Sequence, residues 1–332
     1  MPPVQDRPVV IAFNPIAGAG RAARLAADLA DALRALGLAA ELAPSRAAGD
    51  VTRLASEHEE RCRCFAVVGG DGTAREAADG LAQLATPLAI LPSGTANVLA
   101  EELGLGPDPR RLAQLIASGS VRLLDVFETR SAGEPLRRGM LFAAAGFDAE
   151  VVRRFARQRA ERLASGAAPS PLGKAAYVQP LVEALAAWRA APLEIALDGA
   201  PLRGGPFAWA IVTNTRHFGG LFTLGASIDP ADGWLDLVAL PASGRVDLVL
   251  AMLTGLAGRL DLCPGVVTRV VADEVTIALP AGIPVQLDGD PYGATPLSVR
   301  RLARRLPVVA PALAAIPAIA SAAPAPGIPQ PG

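Results

Sequence analysis

The sequence predicts a two-domain chain, an N-terminal α/β domain on a parallel sheet followed by a mainly antiparallel β domain. Over the first third, short apolar runs alternate with helical patterns, the rhythm of βαβ units. From Val121 the texture changes to alternating runs divided by turn signals such as Asp198-Gly199 and Asp232-Gly233. A length of 332 residues, 51% hydrophobic and 19% charged, exceeds one small domain and supplies a sizeable core.

The first-domain strands fall at Val9–Phe13, Ala39–Leu42, Phe65–Val68 and Leu88–Leu91. Between the first two, Leu25, Leu29, Leu33 and Leu36 recur at helical spacing, while Arg24, Asp28, Asp31 and Arg34 fall elsewhere. Gly37 ends that helix. The second domain is expected to hold strands at Val121–Thr129, Leu141–Ala145, Leu193–Leu197, Phe207–Asn214, Leu235–Leu240, Val266–Ala272, Val275–Leu279, Val285–Leu287 and Leu297–Arg300. Helices are expected near Ala149–Leu163, Lys174–Arg189 and Arg245–Leu256. The expected boundaries are 1–120 and 121–296, with a tail over 310–332.

A net charge of −1 and a pI near 6.2 give no overall field for nucleic acid, so none is expected as a partner. Cys62, Cys64 and Cys263 are an odd number in a long chain, which argues against a disulfide framework and for a reducing cytoplasm. The start, with Pro2, Pro3, Asp6 and Pro8, lacks a signal-peptide pattern. Beyond Arg305 the chain is charge-free and apolar, but Pro307, Pro311, Pro317, Pro324, Pro326, Pro329 and Pro331 break any spanning helix, so an Ala/Pro-rich disordered tail is expected.

Three loops follow predicted first-domain strands, where an open α/β sheet binds ligands and helix N-termini offer unpaired N–H groups to anions. The first is Asn14, Pro15, Ile16, Ala17, Gly18, Ala19, Gly20; it lacks the Gly-Lys-Ser/Thr ending of a P-loop. The second is Gly69-Gly70-Asp71-Gly72-Thr73, leading to a helix with Glu76; its glycines let main-chain amides approach phosphate oxygens. Asp71 repels phosphate and suits a nearby Mg²⁺ or attacking hydroxyl, or else caps a helix. The third is Pro92-Ser93-Gly94-Thr95-Ala96-Asn97, with Thr95 as a phosphate donor or an ordinary cap.

In the second domain, Asp288-Gly289-Asp290 places two acids at a strand mouth, suited to a general base near a metal or to a hairpin turn. Asp229-Pro230-Ala231-Asp232-Gly233-Trp234 offers oxygen ligands for a hard cation, or simply a turn. Asp236 is a further candidate acid. A Ser/His/Asp hydrolase would depend on His217, and no nucleophile elbow follows a strand. A zinc site at His58, Cys62 and Cys64 lacks a fourth ligand. Arg153, Arg154, Arg157, Arg159 and Arg162 form a helical basic run, either a solvated face or a contact for anionic lipid heads.

Taken together, the loops resemble the diacylglycerol kinase catalytic-domain family, and within it the soluble bacterial lipid kinases. The resemblance rests on Asn14-Pro15 with Gly18, Gly69–Thr73 with Glu76, and Pro92–Asn97 with Leu103-Gly104. It continues through Gly146-Phe147-Asp148-Ala149, Asn214 with Gly219-Gly220, Asp232-Gly233-Trp234-Leu235-Asp236 and Asp288-Gly289-Asp290. It implies a nucleotide domain, a C-terminal β-sandwich, and a cleft where ATP meets a lipid head. The last strand after Leu297 is expected to return to the first domain, over about 297–309.

By that resemblance, ATP contacts would fall on Asn14, Pro15, Ile16, Ala17, Gly18, Ser45, Gly69, Gly70, Asp71, Gly72, Thr73, Glu76 and Thr95. The hydroxyl-activating site would hold Asp288 and Asp290, with Asp71 ordering metal and hydroxyl. A structural Mg²⁺ would sit on Asp232 with the carbonyls of Asp229 and Trp234. The expected substrate is a lipid at a membrane surface, diacylglycerol first and a sphingoid base or ceramide next, met by peripheral contact on the cytoplasmic side; a homodimer is compatible. NAD kinase, which shares the Gly-Gly-Asp-Gly loop, and a non-catalytic lipid- or nucleotide-binding protein are the alternatives. Two positions depart from the family pattern: Asp290 replaces a common Glu, and Arg75 stands where Asn is frequent.

Overall fold

Residues 6–94, 96–165, 173–219, 222–241 and 244–312 are described in the structure, a computed structural model of the chain. Strand β1 (Val9–Phe13), buried throughout, pairs in parallel with β2 (Ala40–Pro44) and β3 (Cys64–Gly69), and β4 (Leu88–Pro92) continues the sheet beyond β3. Its alternate residues face opposite layers. Val9, Ile11 and Phe13 pack with α1 (Arg21–Ala35), and Val10 and Ala12 with α2 (Asp50–His58) and α3 (Asp71–Gly80). The short α4 (Val98–Glu102) and α5 (Pro109–Ser118) complete the domain's helices.

Helix α1 buries Ala22, Ala26, Leu29, Ala30 and Leu33, one face at a 3.6-residue period. Leu36, predicted on that stripe, is exposed because it is the C-cap; Gly37 follows at φ +78°, where only a residue without Cβ turns cheaply.

The predicted strand Val121–Thr129 is two strands. β5 (Val121–Leu124) belongs to the first sheet, while β6 (Phe127–Ala132) belongs to the second. The boundary therefore falls at Asp125 and Val126 rather than at 121. The returning strand is β19 (Leu306–Val309), parallel to β4 and antiparallel to β5, giving the order β2-β1-β3-β4-β19-β5. Leu297 does not return; it stays in the second sheet. Apolar residues continue on both sides of Asp125, and no Gly or Pro punctuates residues 121–127, so the stretch reads as one strand.

In the second domain, β7 (Arg137–Gly139), β8 (Phe142–Ala145), β9 (Glu194–Leu197), β10 (Ala200–Pro201) and β11 (Trp209–Thr213) precede a small hairpin, β12 (His217–Phe218) with β13 (Phe222–Thr223). β14 (Leu235–Leu240), β15 (Val267–Val271), β16 (Glu274–Leu279), β17 (Pro284–Leu287) and β18 (Asp290–Arg301) follow. The large sheet runs β10-β9-β16-β18-β17-β8-β11-β14-β15, with β6 on β18 and β7 on β6, every pair antiparallel. Phe127, Ala143, Val212, Leu237, Val275 and Leu297 share one buried layer, the interior of a β-sandwich. Helices α6 (Phe147–Ala164), α7 (Val178–Ala187) and α8 (Arg245–Leu256) stand where helical spacing placed them.

The domains meet on α3. Arg138 of β7 donates from Nη1 to the carbonyls of Ala78 (3.2 Å) and Leu81 (3.0 Å), and from Nη2 to that of Ala82 (3.0 Å). Its main-chain N–H donates to Asp79 Oδ1 at 2.7 Å. A cation from the second domain thus satisfies the exposed carbonyl end of a first-domain helix. The predicted tail over 310–332 lies outside the described residues from 313 onward. Among the described residues, no helix is long and apolar enough to cross a membrane.

Candidate active site

Strands β1 to β4 run the same way, so their following loops share one edge. After β1, Asn14 Oδ1 accepts from Ile16 N at 3.1 Å, and Gly18, Ala19 and Gly20 all take positive φ. Gly20, the N-cap of α1, supplies no side-chain cap, and the amides of Arg21 and Ala22 turn back to the carbonyls of Gly18 (3.1 Å) and Ala17 (3.4 Å), which orders the loop at the helix N-terminus. Ser45, buried just past β2, is tied by its N–H to Phe13 O at 2.8 Å. Pro15, Ile16 and Ala17 line the first loop, with Ile16 exposed.

The second and third loops are built together. Ser93 N donates to Gly69 O at 2.9 Å, and a Cβ added at Gly94 would stand 2.7 Å from the Cα of Gly70. Asn97 folds back on Gly94 through both its amide groups, at 3.0 and 2.8 Å. Close backbone approach is the physical need these glycines meet. Gly70 caps α3 without a side chain, its carbonyl accepting from Thr73 N at 3.0 Å and Ala74 N at 3.1 Å, so Gly72 and Thr73 open that helix. Glu76 lies on the next turn, its carbonyl accepting from Thr52 Oγ1 at 2.9 Å. Thr95 lies outside the described residues.

The three acids have separate tasks. Asp71 accepts from Val98 N at 3.0 Å and Leu99 N at 3.1 Å, one amide to each oxygen. It caps α4, the second of the two roles that the sequence left open for it. Burial pushes its carboxyl up, against the pull of those amides. Asp288 is only 6% exposed and accepts three main-chain N–H bonds, from Met140 (3.0 Å), Leu141 (3.0 Å) and Phe142 (2.9 Å). Burial raises its pKa to about 6. Its carboxylate faces inward and braces a loop, so it is not placed to take a substrate proton. Asp290 is the accessible one, its side chain 56% exposed; a Cβ added at Gly72 would stand 3.7 Å from its Oδ2. Its carboxylate hangs over the glycine loop from the opposite domain.

Two further residues matter here that spacing alone did not single out for the site. Arg75 of α3, with a side chain 9% exposed, donates from Nη2 to Asp290 Oδ2 at 3.0 Å and stands 3.5 Å from Asp79. The only signal in the sequence was its departure from the family's usual Asn. Asp79 in turn accepts from Arg138, as described above.

The side chains of the expected cation loop are engaged within the chain. Asp229 Oδ1 accepts from Ala231 N (2.9 Å) and from Arg122 Nη2 (3.3 Å), and Asp232 Oδ1 accepts from Trp234 N (2.9 Å). The fully buried Asp125 takes Gly233 N at 2.7 Å and pairs with Arg305 at 3.0 Å, while Arg305 also donates to Ala231 O at 3.2 Å. Arg122 and Arg305 thus balance the charges of Asp229 and Asp125 beside this loop. Burial, then Asp232 nearby, raises Asp236 to about 6. Among the described residues no three His, Cys, Asp or Glu side chains gather as a metal site.

The remaining candidates are structural. Cys62, Cys64 and Cys263 are free and buried, and burial pushes the Cys62 thiol up to about 12. His217 Nδ1 lies 2.8 Å from Glu102 Oε1. Arg153 and Arg154 pair with Glu150, both at 2.6 Å, and Arg157 with Glu161 at 3.8 Å, the pattern of a solvated face. Asn214 is buried, its Nδ2 donating to Asp125 O (2.6 Å) and Met140 O (3.0 Å).

Comparison with known proteins agrees with this plan. Residues 8–129 match the family model described as the diacylglycerol kinase catalytic domain, and residues 142–310 match that of the YegS C-terminal NAD kinase β-sandwich-like domain. The chain is 28% identical over 301 residues to a diacylglycerol kinase of Mycobacterium tuberculosis, covering 90% of this chain and 93% of that one. It is 31% identical over 257 residues to a Pseudomonas putida protein named "Probable lipid kinase YegS-like", covering 75% of this chain and 78% of that one. A crystal structure of a Bacillus anthracis diacylglycerol kinase superposes with a TM-score of 0.65 at 20% identity, covering 92% and 97% of the two chains, a likeness of fold. The chain therefore belongs to the diacylglycerol kinase catalytic-domain family, in the group whose second domain is the NAD kinase-like β-sandwich.

Proposed function

We propose that the protein transfers the γ-phosphoryl group of ATP to the hydroxyl of a membrane lipid, diacylglycerol being the acceptor and phosphatidic acid the product. The observation that carries this reading is the Asp290 carboxylate held over Gly72, an accessible acid facing the glycine loop at the start of α3. Amides at the starts of α1 and α3 would hold the phosphates of ATP, which enters with Mg²⁺ as its counter-ion. Asp290 would take the proton of the lipid hydroxyl as its oxygen bonds to the γ-phosphorus. The bond from that phosphorus to the bridging oxygen breaks, and ADP leaves. Asp288 and Asp71 brace the frame and stay out of the proton transfer.

The lipid would be met by peripheral contact on the cytoplasmic face, where ATP is supplied. Helix α8 supports this, since Val246, Val249, Leu250, Leu253 and Leu256 are exposed along it, 248–258 carries no charge, and Arg245 and Arg259 flank it. We assign that stripe to the bilayer, with the arginines toward anionic heads. The helix sits against β13, whose hairpin partner β12 is tied through His217 and Arg216 to Glu102 of α4, the helix capped by Asp71.

Radiolabelled ATP offered with diacylglycerol, sphingosine, ceramide and NAD tests the reading. Labelled phosphatidic acid is expected. Labelled NADP would move the assignment to NAD kinase, and ATP binding without transfer to any acceptor would favour the non-catalytic alternative. Sedimentation with vesicles containing phosphatidylglycerol is expected for the wild type and lost in Leu250→Glu/Leu253→Glu; equal sedimentation of the two would refute α8 as the contact.

A further inference from the structure

The two positions at which this chain departs from its family's pattern, Arg75 and Asp290, lie 215 residues apart in sequence and touch in space, at 3.0 Å across the domain boundary. Arg75 is more than nine-tenths buried, an unusual place for a guanidinium, and among the described residues its Nε and Nη1 have no hydrogen-bond partner. The buried Asp288 beside it and Asp79 at 3.5 Å on the same helix compensate the charge with Asp290, so Arg75 is anchored at its base and reaches up to the accessible acid. Asp290 is otherwise free to move: its side chain is half exposed, and among the described residues only Oδ2 is engaged.

We propose that Arg75 is a positioning residue for phosphoryl transfer, its guanidinium fixing the Asp290 carboxylate over the glycine loop and so making up for an acid one methylene shorter than Glu. The inference rests on the lipid-kinase reading above. Arg75 sits one turn into α3, the helix whose first amides face the phosphates, so the acid is registered to the same rigid element as the nucleotide. With Oδ2 held by Arg75, Oδ1 is the atom left to accept the hydroxyl proton. Holding a reacting group to within an ångström is worth about a hundredfold in rate.

The test is a set of full-length variants assayed for kcat and for the KM of ATP with diacylglycerol in mixed micelles, with thermal melts alongside. Arg75→Asn is expected to lower kcat by about a hundredfold while the KM of ATP moves less than about twofold. Arg75→Lys, which keeps one charged donor, is expected to recover about tenfold of that loss. Arg75→Asn/Asp290→Glu should also recover at least about tenfold, because the longer acid reaches without the anchor, whereas Asp290→Glu alone should give no gain. In an Asp290→Asn background, Arg75→Asn should change kcat less than about twofold. Equal losses from Arg75→Asn in all backgrounds, following the melting temperature, would overturn the proposal and leave Arg75 a structural residue. So would an active wild type matched within about twofold by Arg75→Asn. A wild type that phosphorylates no acceptor would overturn the functional reading and this one with it.

Discussion

Replacing Asp288 by Ala separates a brace from a base. The carboxylate satisfies three buried main-chain N–H groups, of Met140, Leu141 and Phe142, and each would be left without a partner in a site that is only 6% exposed. At about 1–3 kcal/mol for each orphaned donor, the loss totals about 6 kcal/mol in mid-range. Part is returned, because the buried carboxylate is itself disfavoured. A pKa raised from 3.8 to about 6 corresponds at pH 7 to about 3 kcal/mol of penalty that the alanine variant escapes. The expected net destabilisation is therefore about 3 kcal/mol at pH 7. It grows by about 1 kcal/mol at pH 5, where the folded carboxyl is mostly protonated and the wild type sheds part of its penalty. Asp288→Asn keeps one acceptor oxygen but turns an NH₂ toward a donor, so about half that loss is expected. Urea unfolding at the two pH values measures both variants. A destabilisation under about 1 kcal/mol, combined with a thousandfold loss of kcat in a folded protein, would refute the reasoning and restore Asp288 as the base.

Gly94→Ala places a Cβ 2.7 Å from the Cα of Gly70, so the second and third loops must part. Calorimetric titration should show ATP affinity lowered about tenfold with the melting temperature little changed. Arg138→Ala removes three bonds to the carbonyl end of α3 and should cost about 3 kcal/mol in urea unfolding; a cost below about 1 kcal/mol would show that the clamp is not needed. Burial raises Asp148 to about 6, so the folded state takes up a proton that the unfolded chain releases near 3.8. The stability from that group is fully present below about pH 4 and is lost as pH rises through about 6, on the order of 2–3 kcal/mol. Asp148→Asn, which can still accept from Gln286, should therefore flatten the melting temperature between pH 4.5 and 7.5, and an unaltered profile would contradict the assignment.

The glycine-rich edge of the first sheet was legible because its signals are local. A glycine required at positive φ or at a close backbone approach, such as Gly18, Gly70 or Gly94, is written at the position that needs it. The division of labour between Asp288 and Asp290 was not. The two acids sit in a turn with Asp288 at φ +49° and Gly289 at φ +89°, so one carboxylate points into the core and the other out of it. The sequence shows only a symmetrical Asp-Gly-Asp. Arg75 was hidden for another reason: at the centre of a short helix it reads as a solvated cation, and what buries it is a strand more than 200 residues later. The partners of the Asp229–Trp234 loop were hidden in the same way, since Arg122, which pairs with Asp229, and Arg305, which pairs with Asp125, come from distant β5 and from the approach to β19.

The chain leaves its first sheet after Leu124 and comes back to it at Leu306, which makes the first domain a split body. A fragment ending near residue 129, where its family match stops, would keep the loops and lose β19. β4 would then present its open edge, with the buried side chains of Leu88 and Ile90 uncovered, and the carbonyl end of α3 would lack Arg138. Such an edge recruits other strands, so the fragment should self-associate rather than bind ATP as an independent module. For engineering, the portable unit is the whole length from β1 to β19, and shuffling at the boundary between the two family matches would cut through a single folding body.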